Sequence, residues 1–260
     1  MSSELVLTER HDSVSVVMLH RPEKRNALSA ELVSRLSDVI VGLDEDPDVR
    51  AMVLTGADPA FCAGFDLRNL SNELAETRAK RWEGESPRLG LLPPRSTPII
   101  GAINGPAVTG GLELALGCDF LIASERAAFA DTHGRVGVMP GGGMTIRLPQ
   151  LIGIDRARRM SLTGDFIDAN QALNWGLVTE VTAHDDLLPR SIELAATIAS
   201  LDPGAVSELR TMYDEISALV GIDAWKRENR WSKEWIQDRF DRESLARSAD
   251  DIIERGSSQT

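Results

Sequence analysis

The chain has 260 residues, 42% of them hydrophobic, and a net charge of −12, giving a pI of about 4.9. That length buries a sizeable core as one large domain or a domain with an appendage, and the acidic balance argues against nucleic acid or anionic membranes as general partners. No run of roughly eighteen apolar residues occurs, and Met1, Ser2, Ser3 and Glu4 lack the regions of a signal peptide, so a cytoplasmic location is expected.

Taken in chain order, residues 14–19 (Val-Ser-Val-Val-Met-Leu) predict a strand. His20 and Arg21 with Lys24 and Arg25 then form a basic turn just before Asn26, Ala27 and Leu28. By itself such a turn usually means a solvated surface cluster. Ser29 opens a helix with Leu32, Leu36, Val39, Ile40 and Leu43 on one face, and Asp46 and Pro47 end it. Residues 50–55 read as a short buried strand that runs through Gly56, Ala57, Asp58 and Pro59 into the glycine-containing loop 60–67. Residues 69–94 are polar, charged and broken by Gly84, Pro87, Gly90, Pro93 and Pro94, a pattern more typical of a binding or mobile segment than of a packed element. A strand at 98–103, a turn at Asn104, Gly105 and Pro106, a short helix and a strand at 120–123 complete an α/β order.

That short helix carries the strongest chemical signal. Gly110, Gly111, Leu112, Glu113, Leu114, Ala115 and Leu116 place one carboxylate in an apolar run. A buried acid without hydration is costly, so it normally has a partner or performs chemistry. Residues three apart share a helix face, so Gly110 and Glu113 look into one space. Glycine lets a ligand approach the backbone, and the first helical turn offers unpaired N–H groups at the positive end of its dipole. A carbonyl oxygen gaining negative charge would be stabilised there, and loop 60–67 offers a second N–H. The alternative is that the glycines serve tight packing while Glu113 pairs with a buried cation such as Arg147.

Cys62 and Cys118 lie in these two segments. A disulfide between them stays open, although a cytosolic chain favours two reduced, buried thiols. The four histidines, His11, His20, His133 and His184, are scattered without metal-ligand spacing, so no metal is expected. Beyond about residue 190 the pattern turns helical, with amphipathic helices at 191–200 and 203–220 and a stretch at 224–240 that mixes Trp225, Trp231, Trp235, Ile236 and Phe240 with many charges. Trp225, Trp231 and Trp235 in the last of these need covering, by this chain or by another copy.

In joint order these segments resemble the crotonase, or enoyl-CoA hydratase/isomerase, superfamily. The matching residues are Arg21 and Pro22 with Asn26, Ala27 and Leu28; Phe61, Cys62, Ala63, Gly64, Phe65, Asp66 and Leu67; and Ile103 to Ala107 through Gly110 and Gly111 to Cys118 and Asp119. They continue with Arg135, Val136 and Gly137, Pro140 to Gly143, Arg147 to Pro149, Ile152 and Gly153, Thr163 and Gly164, Ala169, Ala172, and Trp175 to Val178. The resemblance implies a crotonase-like spiral of ββα repeats holding an acyl-CoA site over residues 1–190. A C-terminal helical region, 191–260, would assemble a homotrimer or a dimer of trimers.

The resemblance also implies an oxyanion site made by the backbone N–H groups of Phe65 and Gly110, and an enolate-like thioester intermediate. Hydratases of this family carry a second glutamate about twenty residues after the first, and here that position falls on His133. Glu113 is therefore expected as principal acid/base with His133 as its partner, since imidazole can donate or accept near neutral pH. Asp131 is the fallback. The basic turn with Lys24 and Arg25 would lie beside the CoA phosphates. Carbonyls near Ala27, Ala63 and Leu67 would read the adenine, and Gly64, Asp66 and Gly111 would complete the substrate contacts. Trp82 and residues 89–92 would border the acyl pocket. The tail at 250–255 lacks the family's basic and aromatic ending. The expected activity is hydration of a trans-2-enoyl-CoA, with no cofactor beyond the substrate's own CoA. The alternatives are an isomerase using one acid/base and a non-catalytic acyl-CoA-binding protein.

Overall fold

The structure, a computed structural model, describes residues 4–66 and 90–238. Leu67, Trp82, Leu89 and the tail at 250–255 lie outside the described residues. The chain starts with β1 (Val6–His11) and β2 (Val14–Leu19), which form an antiparallel hairpin. A 3-10 turn at Pro22–Lys24 leads to α1 (Ala30–Asp44), whose Ser29 hydroxyl accepts the Leu32 N–H as the sequence predicts for an N-cap. β3 (Ala51–Gly56) and β4 (Ile99–Ile103) follow, then β5 (Ala107–Val108), α2 (Gly110–Ala115), β6 (Phe120–Ser124), β7 (Ala128–Ala130) and α3 (His133–Val136). The remainder is α4 (Met144–Ile152), α5 (Ile154–Thr163), β8 (Ile167–Asp168), α6 (Ala169–Trp175), β9 (Glu180–Thr182), α7 (Leu187–Ala199) and α8 (Pro203–Asp238).

Six strands form one sheet in the order β1-β2-β3-β4-β6-β9, parallel except for the β1–β2 hairpin. A smaller sheet has the order β5-β7-β8. Strand periodicity explains why the central strands read as unbroken apolar runs. Met52, Leu54, Ile99, Ile103 and Leu121 face the larger core with α1, whereas Val14, Val16, Ala51, Val53, Ile100, Ala102 and Ile122 face α7. A parallel sheet covered on both faces needs no polar side.

The helix at the expected boundary near residue 190 runs from Leu187 to Ala199, and its Leu187, Ala195 and Ala199 complete the second core cluster. That boundary therefore falls inside an element packed on the sheet. The helix expected at 203–220 and the stretch from 224 are one helix, α8, through Asp238. Gly221 between them costs only about 1 kcal/mol within a helix, too little to break it. Trp225 is buried by this chain: a Cβ on Gly143, ahead of α4, would lie 2.7 Å from its ring. Among the described residues no helix is long and apolar enough to cross a membrane.

Candidate active site

The site is assembled from the ends of the parallel strands, where loops rather than elements bring residues together. After β2, the backbone makes its 3-10 turn and enters the left-handed region at Arg25 and Asn26, with φ of 49° and 55°. Asn26 is fully buried, and its side chain joins two segments. Its Nδ2 donates to Ala57 O and Ala60 O, both at 2.7 Å, while its Oδ1 accepts the Arg21 N–H at 2.9 Å. The basic turn is thereby fixed to the loop after β3. Arg21 is committed as well, donating to Ala27 O at 2.6 Å and to Asp66 at 3.3 Å. Lys24 is exposed and Arg25 half-buried beside it.

The loop after β3 runs in register against the turn. Leu28 N donates to Gly64 O and Asp66 N to Leu28 O, so Phe65, which bridges Leu28, does not spend its own N–H in that ladder. Cys62 bridges Ala107 in the same way, through Cys62 N to Pro106 O and Val108 N to Cys62 O. These two bridges carry the Phe65 loop to the start of α2. A Cβ on Gly110 would sit 2.6 Å from the Phe65 ring, and one on Gly111 would sit 2.0 Å from Cys62 O. Gly111 is thus required by the contact between the two segments. Among the described residues, neither the Phe65 nor the Gly110 N–H donates to a protein acceptor. Burial pushes the Cys62 and Cys118 thiols up to about 12, and both are free. An inert, protonated thiol follows from such a shift.

Thr109 precedes α2 with φ 52° and ψ −108°, a strained conformation for a β-branched residue. It is held from both sides. Its N–H donates to Ala130 O at 2.8 Å, and its hydroxyl accepts the Thr132 N–H at 3.0 Å and bonds the Thr132 hydroxyl at 2.5 Å. The amide that starts α2 and the segment 130–133 are therefore one unit.

Glu113 is 2% exposed, and the cation considered for it does not bind it. Arg147 donates instead to Leu116 O at 3.1 Å. The Glu113 Oε1 accepts backbone N–H groups from Gly142 at 2.7 Å and Gly141 at 3.2 Å, with that of Met144 at 3.5 Å. These amides open α4, so the anion sits where a helix dipole favours it. Gly142 permits the approach, since a Cβ there would lie 2.8 Å from the carboxyl carbon. The other oxygen, Oε2, stands 3.9 Å from His133 Nε2. Three glycines before a helix are legible in the sequence, but not the side chain they would hold.

His133 is likewise buried, at 6% exposure, and its Nδ1 lies 2.6 Å from Asp131 Oδ1. Asp131 also accepts the His133 backbone N–H at 3.1 Å, and the Ser161 hydroxyl of α5 adds to the polar surroundings that favour its anion. Burial works against its anion, but the bonds and charge of His133 and the Ser161 hydroxyl outweigh it, holding the carboxyl below its ordinary range. Glu113, His133 and Asp131 are thus brought together, next to the Phe65 and Gly110 segments. The Leu91 and Leu92 part of the expected acyl border is packed in the main core.

A profile of the enoyl-CoA hydratase/isomerase family matches residues 9–254. A crotonyl-CoA hydratase of Syntrophomonas wolfei is 34% identical over 231 residues, covering 86% of this chain and 88% of that one. A carnitinyl-CoA dehydratase of Proteus mirabilis is 36% identical over 227 residues, covering 87% and 86%. Among solved structures, an enoyl-CoA hydratase from Mycobacterium smegmatis superposes with a TM-score of 0.81 at 47% identity, over 90% of this chain and 99% of that chain.

Proposed function

The chain belongs to the enoyl-CoA hydratase/isomerase family and has its crotonase fold, and from that premise we propose that it reversibly hydrates a trans-2-enoyl-CoA thioester. The observation that carries this reading is the buried pair of Glu113 Oε2 and His133 Nε2, 3.9 Å apart, with Glu113 on the short helix that Gly110 starts. That spacing is too long for a direct hydrogen bond, yet a single water oxygen about 2.8 Å from each atom satisfies both.

In the forward direction the thioester oxygen lies between the Phe65 and Gly110 N–H groups. Each such donor contributes about 3 kcal/mol when charge develops on that oxygen. The water adds its oxygen to the β-carbon as Glu113 takes one of its protons, and the electron pair of the double bond moves toward the thioester. The enolate then collapses, the α-carbon receiving the proton that Glu113 took, either directly or by way of His133 Nε2. The amides around Oε1 favour the glutamate as an anion, which suits it to begin as the base.

The substrate's own CoA would supply the only group needed beyond the protein, with Lys24 and Arg25 facing its phosphates and the Ala27 and Ala63 carbonyls its adenine. The finer architecture belongs to the same reading: a spiral of ββα units and a homotrimer or dimer of trimers, in the cytoplasm. Exposed Leu151, Ile154, Leu162 and Leu173 on α4 to α6, and Leu209, Met212 and Tyr213 on α8, supply apolar surface for such an assembly.

Incubation with crotonyl-CoA in ¹⁸O-labelled water tests the reaction. The expected product is 3-hydroxybutyryl-CoA carrying the label on its β-carbon. Conversion of a 3-enoyl-CoA without hydration would replace the reading with double-bond isomerisation, and tight binding without turnover would leave an acyl-CoA-binding protein.

A further inference from the structure

Asp131 makes no contact that would let it serve as the second acid. Its Oδ1 takes both donors of one residue, the backbone N–H and the Nδ1 of His133. An ionised carboxylate only accepts, so the 2.6 Å contact requires the proton of that pair to reside on Nδ1. The neutral ring must then present Nε2 as an acceptor, and Nε2 is the atom facing Glu113 Oε2.

Resting on the hydratase reading, we propose that Asp131 is the positioning residue of this site: it fixes His133 in the Nδ1–H tautomer and stabilises the imidazolium formed when Nε2 takes a proton. The bland role for the same residue is a helix cap, because the bond to the His133 N–H resembles an Asx-turn ahead of α3. The two roles separate by chemistry. Asparagine caps as well as aspartate, but it brings no negative charge to the ring. The charged groups that the described residues bring to the imidazole are Asp131 and Glu113. Glu113 is retained in the variant, so a comparison with Asp131→Asn isolates one charge.

The segment is built for such a task. Ala130 and Thr132, on either side of Asp131, are tied to Thr109 by its N–H and its hydroxyl. The ring is therefore indexed to the same backbone that starts α2, and Asp131 removes its remaining freedom of rotation and tautomer.

Two readouts test this. In Asp131→Asn, kcat on crotonyl-CoA should fall by about 100-fold or more, the direction and scale of removing the carboxylate behind a catalytic histidine, with KM within about threefold and the variant still folded at the assay temperature. If that variant fails to fold, the ring nitrogens of the wild type decide. Independently of turnover, ¹⁵N NMR of His133 should show Nδ1 protonated in the neutral ring of the wild type. The imidazolium should also persist to higher pH there than in Asp131→Asn. A neutral ring protonated at Nε2, or an Asp131→Asn enzyme with wild-type kcat and an unmoved His133 titration, overturns the proposal. A wild type that turns over no enoyl-CoA yet shows the Nδ1–H ring would end the hydratase reading while leaving the assignment of Asp131 standing.

Discussion

The two halves of the site are built from different materials. The half around Phe65 and Gly110 is main chain: its polar atoms are amides, and their placement depends on how closely the loop after β3 packs on α2. The other half is side chain: Glu113, His133 and Asp131, each buried and each held by specific hydrogen bonds. In the first half a substitution acts through shape, and in the second through charge. A residue's distance from the reacting atoms is therefore a poor guide to its importance in the first half and a good one in the second.

The largest effect that would sharpen this contrast is Glu113→Gln. It keeps the volume and loses the base, so kcat should fall by about 10²–10⁴-fold with little change in melting temperature. An unchanged kcat in steady-state assays would break the assignment of the side-chain half. Next comes Gly111→Ala, which removes no functional group yet places a Cβ 2.0 Å from Cys62 O. Backbone must shift to relieve it, at a cost of about 1–3 kcal/mol or more. Calorimetry should show the melting temperature lowered by about 5 °C, and misplacement of the amides should cost about 100-fold in kcat.

Phe65→Ala is the counterpart with a small effect. Its side chain packs beside Gly110, but the proposed donor is its N–H, which alanine retains. A change in kcat of no more than about fivefold is expected, and a 100-fold loss would show that the ring, not the amide, matters. The smallest effect is on stability in acid. The Asp131 carboxyl lies below its ordinary value in the folded state. Its contribution to stability is therefore present above the unfolded pKa, near 3.9, and is lost as pH falls through the folded value. Urea unfolding between about pH 6 and pH 3 should show a steeper loss for the wild type than for Asp131→Asn; parallel curves would remove the titrating character assigned to this half.

The contrast also marks what could be read in advance. The central strands were legible because both faces of the sheet are covered, and α1 was legible from its cap and apolar stripe. β1 carries Thr8, Glu9 and Arg10 at the sheet's edge, where one-sided packing leaves a weak pattern. Glu113 stood out because an acid in an apolar run is expensive. Its partners did not, because Gly141 and Gly142 contribute only backbone amides, which every residue but proline has. Left-handed Arg25 and Thr109 are invisible for a related reason, since neither residue type favours positive φ, whereas Asn26 belongs to a type that tolerates it. His133 was readable as a titratable group at a matching position. Asp131 was readable only as a substitute, since its role depends on the conformation of a two-residue step.

Asn26, sealed inside the protein and bonded to Arg21, Ala57 and Ala60, makes the turn proposed to face the nucleotide and the loop proposed to face the thioester a single unit. On the proposed reading, recognition of the carrier and polarisation of its cargo are tied together by one side chain, so losing Asn26 should weaken both at once.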